Sequence, residues 1–537
     1  MNSTYSAIGS GVQRLLGSLA LSLLLTSASV AAKKPNIIFI LTDDQRYDEL
    51  GITNPLLHTP NMDAIANEGV HFENAFVTTA LCSPSRATIL TGQYANTHRV
   101  VDNNAPIRAG TVFFPSYLQQ AGYITGFIGK WHMGNTGDAP QPGFDKWVSF
   151  RGQGHYYPDL GKGRRAQFNV DGKKVPQTGY ITDELTDYAV DWLDSLSGEQ
   201  PFFLYLSHKA VHAEFKPATR HAEQYAGAQV VLPASMANTE ENYRGKPRWV
   251  KDQRSSWHGV DFPYHSTLDV AAYKMQYHRT ISAVDDSVGR LRDWLKDHQL
   301  DDNTLVVLMG DNGFMFGEHG LIDKRTAYEE SMRVPLIAVG PGFSGGNKVT
   351  EVVANLDIAP TLLAMAGIAA PAHFQGRSFK ALAAGETLEQ PWSNEFAYEY
   401  FWEYTFPQTP TTLAVRTDRY KLIQYHGIWD REELYDLRND PKEMNNLADD
   451  PALSEQKIAL RKRLYTLLAN NAGELVVPYT ARKSSGAIYR RSGDNAAQDF
   501  PEQWLKSGQE SKASLFEGLV PDGKDKAMLL KTLMPEQ

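Results

Sequence analysis

Four short apolar runs, each ending in a polar cluster, constrain the fold of this chain more than any other feature of its sequence. Asn36 to Leu41, Ile124 to Ile128, Phe202 to Leu206 and Thr304 to Met309 are almost continuously hydrophobic and too short for helices. A strand buried on both faces reads this way, whereas a half-exposed strand alternates. Helical patterns lie between the runs, for example Asn61 to Glu68 and Val270 to Leu295. This alternation predicts an α/β architecture, a doubly wound and mainly parallel sheet with helices on both faces. The 537 residues leave room for two or three domains, and no tandem repeat or low-complexity block intervenes.

The residues after each run carry the chemistry. Asp43 and Asp44 follow the first, Lys130 and His132 the second, His208 and His212 the third, and Asp311 and Asn312 the fourth. Open α/β sheets bind ligands outside the carboxyl ends of their strands. Any one cluster could simply serve a turn, but four in the same position predict a single crevice. A further segment, Cys82 to Gly92, reads as a short helix with Ser83 at the N-cap, Pro84 at the first helical position and Gly92 at the stop. Cys82 then precedes a helix N-terminus, where backbone N–H groups favour an anion, and Arg86 lies one turn on.

Compartment and partners are bounded by simpler features. Arg14, the apolar run Leu15 to Leu25 and the small residues Ala28 to Ala32 form the pattern of a cleaved secretory signal over residues 1–32, too short and interrupted for a membrane span. The expected location is therefore exported, periplasmic or extracellular. Cys82 is the sole cysteine, so no intramolecular disulfide can form, and a lone thiol in an oxidising compartment is either inert or kept for its chemistry. The net charge of −9, from 53 basic and 62 acidic residues, argues against a nucleic-acid or anionic-membrane partner.

With these residues in place, the chain resembles the type I sulfatases of the alkaline phosphatase superfamily. Residues 82 to 92 match the signature Cys-x-Pro-x-Arg followed by a short helix ending in Thr-Gly. Gly122, Tyr123, Thr125, Gly129, Lys130 and His132 match a second signature, and the likeness continues through Asp311-Asn312-Gly313, Gly317 to Gly320 and Lys324. It spans about residues 35 to 470.

The resemblance implies that a formylglycine-generating enzyme converts Cys82 to formylglycine (3-oxoalanine), an aldehyde that hydrates to a diol. One hydroxyl would attack sulfur; the other would later expel sulfate. Asp43, Asp44, Asp311, Asn312 and the modified Cys82 would bind one calcium ion, consistent with the ion's preference for oxygen ligands. Arg86, Lys130 and Lys324 would bind the sulfate and the diol, His212 would protonate the leaving alcohol in preference to His208, and His132 would act as base. The expected domains are a catalytic unit over 33–390, a subdomain with an antiparallel sheet and a helix over 391–482, and a loosely packed tail over 483–537.

The implied activity is sulfate-ester hydrolysis on a carbohydrate, such as an algal galactan, ulvan or a 6-sulfated N-acetylglucosamine. Gln45, Arg46, His98 and the aromatic stretch Phe396 to Phe406 are candidate sugar contacts, although such a stretch also suits a buried strand. The alternatives are a phosphodiesterase or phosphonate monoester hydrolase of the same superfamily and a non-catalytic glycan-binding protein.

Overall fold

The computed structural model describes residues 33–134, 137–161, 163–261, 269–388, 390–427 and 430–471. The signal-like segment and the tail after 482 lie outside the described residues. Among those described, no helix is long and apolar enough to cross a membrane.

All four apolar runs are strands, each extending a residue or two beyond the expected end. Across the sheet the order is Asn347–Val349, Val70–Phe72, Leu336–Val339, Thr304–Gly310, Asn36–Thr42, Phe202–Ser207, Ile124–Lys130, Lys146–Phe150, Gln167–Val170 and Lys173–Pro176. Asn36–Thr42 is central and pairs in parallel with Thr304–Gly310 and Phe202–Ser207, with Ile37 opposite both Leu305 and Phe203. Ile124–Lys130 and Lys146–Phe150 continue the parallel set. Leu336–Val339, Gln167–Val170 and Lys173–Pro176 run antiparallel to their neighbours.

Because side chains alternate across a strand, the central strand feeds two cores. Ile37, Phe39 and Leu41 join one, and Ile38 and Ile40 the other. The second core is closed by helices Ile181–Asp194 and Val270–Asp297. Helices Cys82–Thr91 and Ile358–Met365 close the first.

Beyond them, Glu395–Tyr400, Thr411–Thr417, Tyr420–His426 and Glu433–Asp436 form an antiparallel sheet covered by helix Ser454–Asn470 through Leu460, Leu464 and Leu468. Its inner face belongs to the same core as Ile37, Phe39 and Leu41 of the main sheet. Phe396, for instance, packs on Phe76 with ring centroids 5.3 Å apart.

One local expectation is corrected. The short helix begins at Cys82 with Leu81 at its N-cap, and Ser83 lies inside the first turn. The Ser83 hydroxyl donates to the carbonyl of His132, a partner 49 residues away, so it ties the helix to the next strand end instead of capping it. The stop is as expected: Gly92 takes φ +63°, and its N–H returns to Thr88 O.

Candidate active site

Backbone hydrogen bonds join the carboxyl ends of the central strands. His208 N donates to Leu41 O at 2.9 Å, Asp43 N to Ala210 O at 2.9 Å, Val211 N to Asp43 O at 2.7 Å and Asp311 N to Thr42 O at 2.8 Å. Asp43, Asp44, Asp311 and Asn312 stand on this floor, all buried. Asp44 adopts φ +60°, a left-handed conformation that Asp tolerates better than most residues. It is held there by its N–H to Asp311 Oδ1 at 3.0 Å and by Tyr277 OH, which donates to its carbonyl at 2.9 Å.

Cys82 opens its helix above these carboxylates. Its thiol donates to Asp43 Oδ1 at 3.6 Å and receives Lys324 Nζ at 3.3 Å. Burial pushes the thiol pKa up to about 12, so the unmodified group stays protonated at neutral pH.

Three cations surround it. Arg86 donates through Nε to Asp311 Oδ2 at 2.8 Å and through NH1 to Lys130 O at 2.7 Å and Ser207 Oγ at 2.6 Å. Lys130 binds Asp43 Oδ2 and, at 2.5 Å, Gln153 Oε1. Gly129, at φ +123°, sets up this approach, since a Cβ there would lie 1.8 Å from Ser207 O. Lys324 binds Asp44 Oδ1; burial disfavours its charge, but Asp44 and its other acidic neighbours hold its pKa well above normal.

The carboxylates titrate apart. Burial alone would raise Asp43, yet Lys130, His212, Arg86 and Lys324 hold it well below the usual range. Asp44 is raised by burial and by the neighbouring Asp43 and Asp311 charges, against the pull of Lys324. Carboxylate oxygens of Asp43, Asp44 and Asp311 lie within 4.8 Å of one another. Asp44 Oδ2 and Asn312 Oδ1 are buried without a hydrogen-bond partner, while Asn312 Nδ2 donates to Asp44 Oδ1 at 2.7 Å. Crowded carboxylates with two orphaned oxygen acceptors suit a hard divalent cation, and the all-oxygen donor set fits calcium.

The two histidines of the third cluster separate. His212 is partly buried, with Nε2 3.9 Å from Asp44 Oδ2 and Nδ1 against Ala213 O. Burial, then Lys130 and Lys324, hold its pKa well below normal. His208 turns to the helix behind the sheet, where Nε2 meets Ser287 Oγ at 3.1 Å, and burial lowers its pKa to about 4. His132 is buried just past Lys130 at φ +48°.

Three candidate sugar contacts are corrected. Gln45 donates to Glu49 O at 3.1 Å, and buried Arg46 pairs with Asp48 at 2.8 Å and Glu318 at 2.7 Å. His98 bonds to Thr88 Oγ1 at 3.1 Å and accepts Val100 N at 3.0 Å, with burial lowering its pKa to about 3. All three are internal struts. In the aromatic stretch, Phe396 to Phe401 is buried, whereas Trp402 and Tyr404 are exposed.

Two residues of this neighbourhood escaped the sequence reading. Lys209 is buried, with Nζ 4.6 Å from the centre of the Tyr156 ring, and burial and Lys130 lower its pKa to about 7. It sits in the same position after a strand as the other clusters, which was the available signal. Gln153 has no such signal, for it reaches Lys130 from a loop.

The Sulfatase family profile matches residues 35–368, and that of the N-sulphoglucosamine sulphohydrolase C-terminal region matches 317–470. The chain is 33% identical over 473 residues to an N-acetylglucosamine-6-O-sulfatase of Bacteroides thetaiotaomicron, covering 77% of this chain and 83% of the relative. A protein solved in complex with its substrate D-glucosamine-2-N,6-O-disulfate superposes with TM-score 0.70 at 31% identity, covering 82% of this chain and 98% of the other. Another, solved with a neocarrahexaose, gives TM-score 0.64 at 25% identity over 82% and 94% of the two chains.

Proposed function

The chain belongs to the type I sulfatase family of the alkaline phosphatase superfamily and is a sulfuric ester hydrolase; from that premise we propose that it is exported and removes sulfate from a sulfated glycan, through a formylglycine made from Cys82 and a bound calcium ion. The carrying observation is the position of Cys82 Sγ, at a helix start between the acidic cluster and Lys324.

When present, the hydrated aldehyde supplies the nucleophilic hydroxyl, and calcium adds positive charge beside it and the sulfate oxygens. Asp43, Asp44, Asp311 and Asn312 would hold the ion together with the modified Cys82. Arg86, fixed at both ends by Asp311 and Ser207, orients this machinery. Lys130 and Lys324 draw in and orient the sulfate, and their charges favour electron density that develops on its oxygens. Lys209 adds to the same field. His212 delivers a proton from its imidazole to the leaving sugar oxygen; the arriving sulfate carries the negative charge that favours the protonated ring. His132 takes up the proton released as sulfate departs.

Residues 33–390 act as the catalytic unit on this reading, with the subdomain that contains the sheet over 395–436 packed beside it. A formylglycine-generating enzyme is the maturation partner. The substrate named for one similar protein, a glucosamine disulfate, and the neocarrahexaose bound to another support a sulfated amino sugar or an algal galactan as the class. The test is sulfate release from defined sulfated oligosaccharides, beside an aryl sulfate and an aryl phosphodiester. Turnover of at least one sulfated sugar, with the sulfate ester preferred to the diester, is expected. A preference for the diester would overturn the reading in favour of a phosphodiesterase.

A further inference from the structure

The strand Glu395–Tyr400 lies beside the segment that leads into Cys82: Glu399 N donates to Thr78 O at 2.8 Å and Ala80 N to Tyr398 OH at 3.4 Å. Past its end the chain alternates. Phe401 and Glu403 point inward at 5% and 2% exposure, while Trp402 and Tyr404 point outward at 39% and 45%.

The segment is anchored between these two aromatics, at Glu403, and directly after them, at Thr405. Glu403 Oε1 receives Arg325 Nε at 2.5 Å and Tyr400 OH at 2.9 Å, and Arg325 directly follows Lys324, whose Nζ touches Cys82. Thr405 Oγ1 receives Asn104 Nδ2 at 3.4 Å, and the adjacent Asn103 Oδ1 receives Ser83 N at 3.1 Å. The segment that carries Trp402 and Tyr404 is therefore held at Glu403 and at Thr405 by two ties, each leading within two residues to a neighbour of Cys82. The indole is fixed by its edge, with Nε1 donating to Pro407 O at 3.1 Å and the backbone N–H of Trp402 bonding to Thr411 Oγ1 at 2.8 Å.

The geometry points to a second subsite: Trp402 and Tyr404 form an aromatic platform for the pyranose ring linked to the sulfated residue. This rests on the sulfated-glycan reading above. The crevice around Cys82 is lined by charge and suits one sulfate. Trp402 and Tyr404, on the segment tied to Arg325 and Asn104, present exposed aromatic rings with polar edges, the mixture that seats the C–H face of a sugar while its hydroxyls remain in water. The site therefore reads two sugar units, and an oligosaccharide gains binding that a monosaccharide sulfate or an aryl sulfate cannot reach.

The experiment takes full-length, modified enzyme and a panel of sulfated tetrasaccharides from heparan sulfate and κ-carrageenan, using the one turned over best. For wild type, Trp402→Ala, Tyr404→Ala and Trp402→Phe, kcat/KM on that tetrasaccharide is divided by kcat/KM on 4-nitrophenyl sulfate. Each alanine variant lowers the ratio about tenfold, chiefly through KM, and Trp402→Phe keeps most of it. A ratio unchanged within twofold in both alanine variants overturns the platform while leaving the glycan reading intact. So does an equal loss on both substrates through kcat, which marks a purely structural role. A wild type that hydrolyses 4-nitrophenyl sulfate but no sulfated saccharide of any length removes both readings.

Discussion

Removing calcium should destabilise this protein as well as silence it, and the size of the effect follows from the atoms at the site. Asp44 Oδ2 and Asn312 Oδ1 are buried without partners, and an unsatisfied buried acceptor costs about 1–3 kcal/mol. Three carboxylates crowd the same spot and raise Asp44. An ion bound only by the folded state, supplied at about 100 times its dissociation constant, contributes ~2.7 kcal/mol. Unfolding entropy is roughly 2 cal/mol/K per residue, so in a folded body of this size the stabilisation corresponds to a shift of about 3 °C in melting temperature. The assay is thermal unfolding with calcium and with a chelator, alongside 4-nitrophenyl sulfate turnover. Asn312→Ala, which removes one donor oxygen, should need a higher calcium concentration for the same shift. Full activity and an unmoved midpoint in protein shown to be metal-free would refute the reasoning.

His212→Ala should slow hydrolysis of sugar sulfates by about 10²-fold or more, the usual contribution of a positioned acid, and should slow aryl sulfates much less, because a phenolate leaves without a proton; equal losses on both would remove it from the acid role. Cys82→Ser, with one hydroxyl on its carbon, should accept sulfate at most once per molecule, read as a single-turnover burst of 4-nitrophenol, and sustained turnover would contradict a two-hydroxyl nucleophile. Glu399 is buried, accepts the Asn96 N–H at 3.0 Å and has no part in this chemistry, and burial raises its pKa to about 8. A carboxyl raised on folding holds its proton in the native state between about pH 5 and 8 while the unfolded chain has lost it, so stability falls as pH rises through that window, by up to ~1.4 kcal/mol per unit. Glu399→Gln should flatten that decline, and parallel melting curves for variant and wild type from pH 5 to 8 would refute it.

The parts of the fold that were legible in the sequence are those whose physics is local. Strands buried on both faces must be apolar throughout, so Asn36–Thr42, Ile124–Lys130, Phe202–Ser207 and Thr304–Gly310 announced themselves. The edge strands did not. Lys173–Pro176 is mostly exposed and ends in proline, and Asn347–Val349 is three residues long, so neither carries a periodic signal.

Within the site, the acidic residues and cations were visible because they follow strand ends, and the resemblance gave them roles. Contacts between distant residues were not visible. Ser83 has the composition of a cap, but the carbonyl of His132 wins its hydroxyl. Arg46 adjoins the Asp43-Asp44 pair in sequence, yet Glu318, 272 residues on, claims its guanidinium.

The most direct test of the mechanism is the mass of the peptide containing Cys82, taken from a preparation whose turnover of a sulfated sugar has been measured. The expected peptide is lighter than the cysteine form by the exchange of one sulfur and two hydrogens for one oxygen, and its fraction rises in proportion to specific activity. A fully active preparation in which Cys82 is entirely an unmodified thiol would contradict the proposed mechanism.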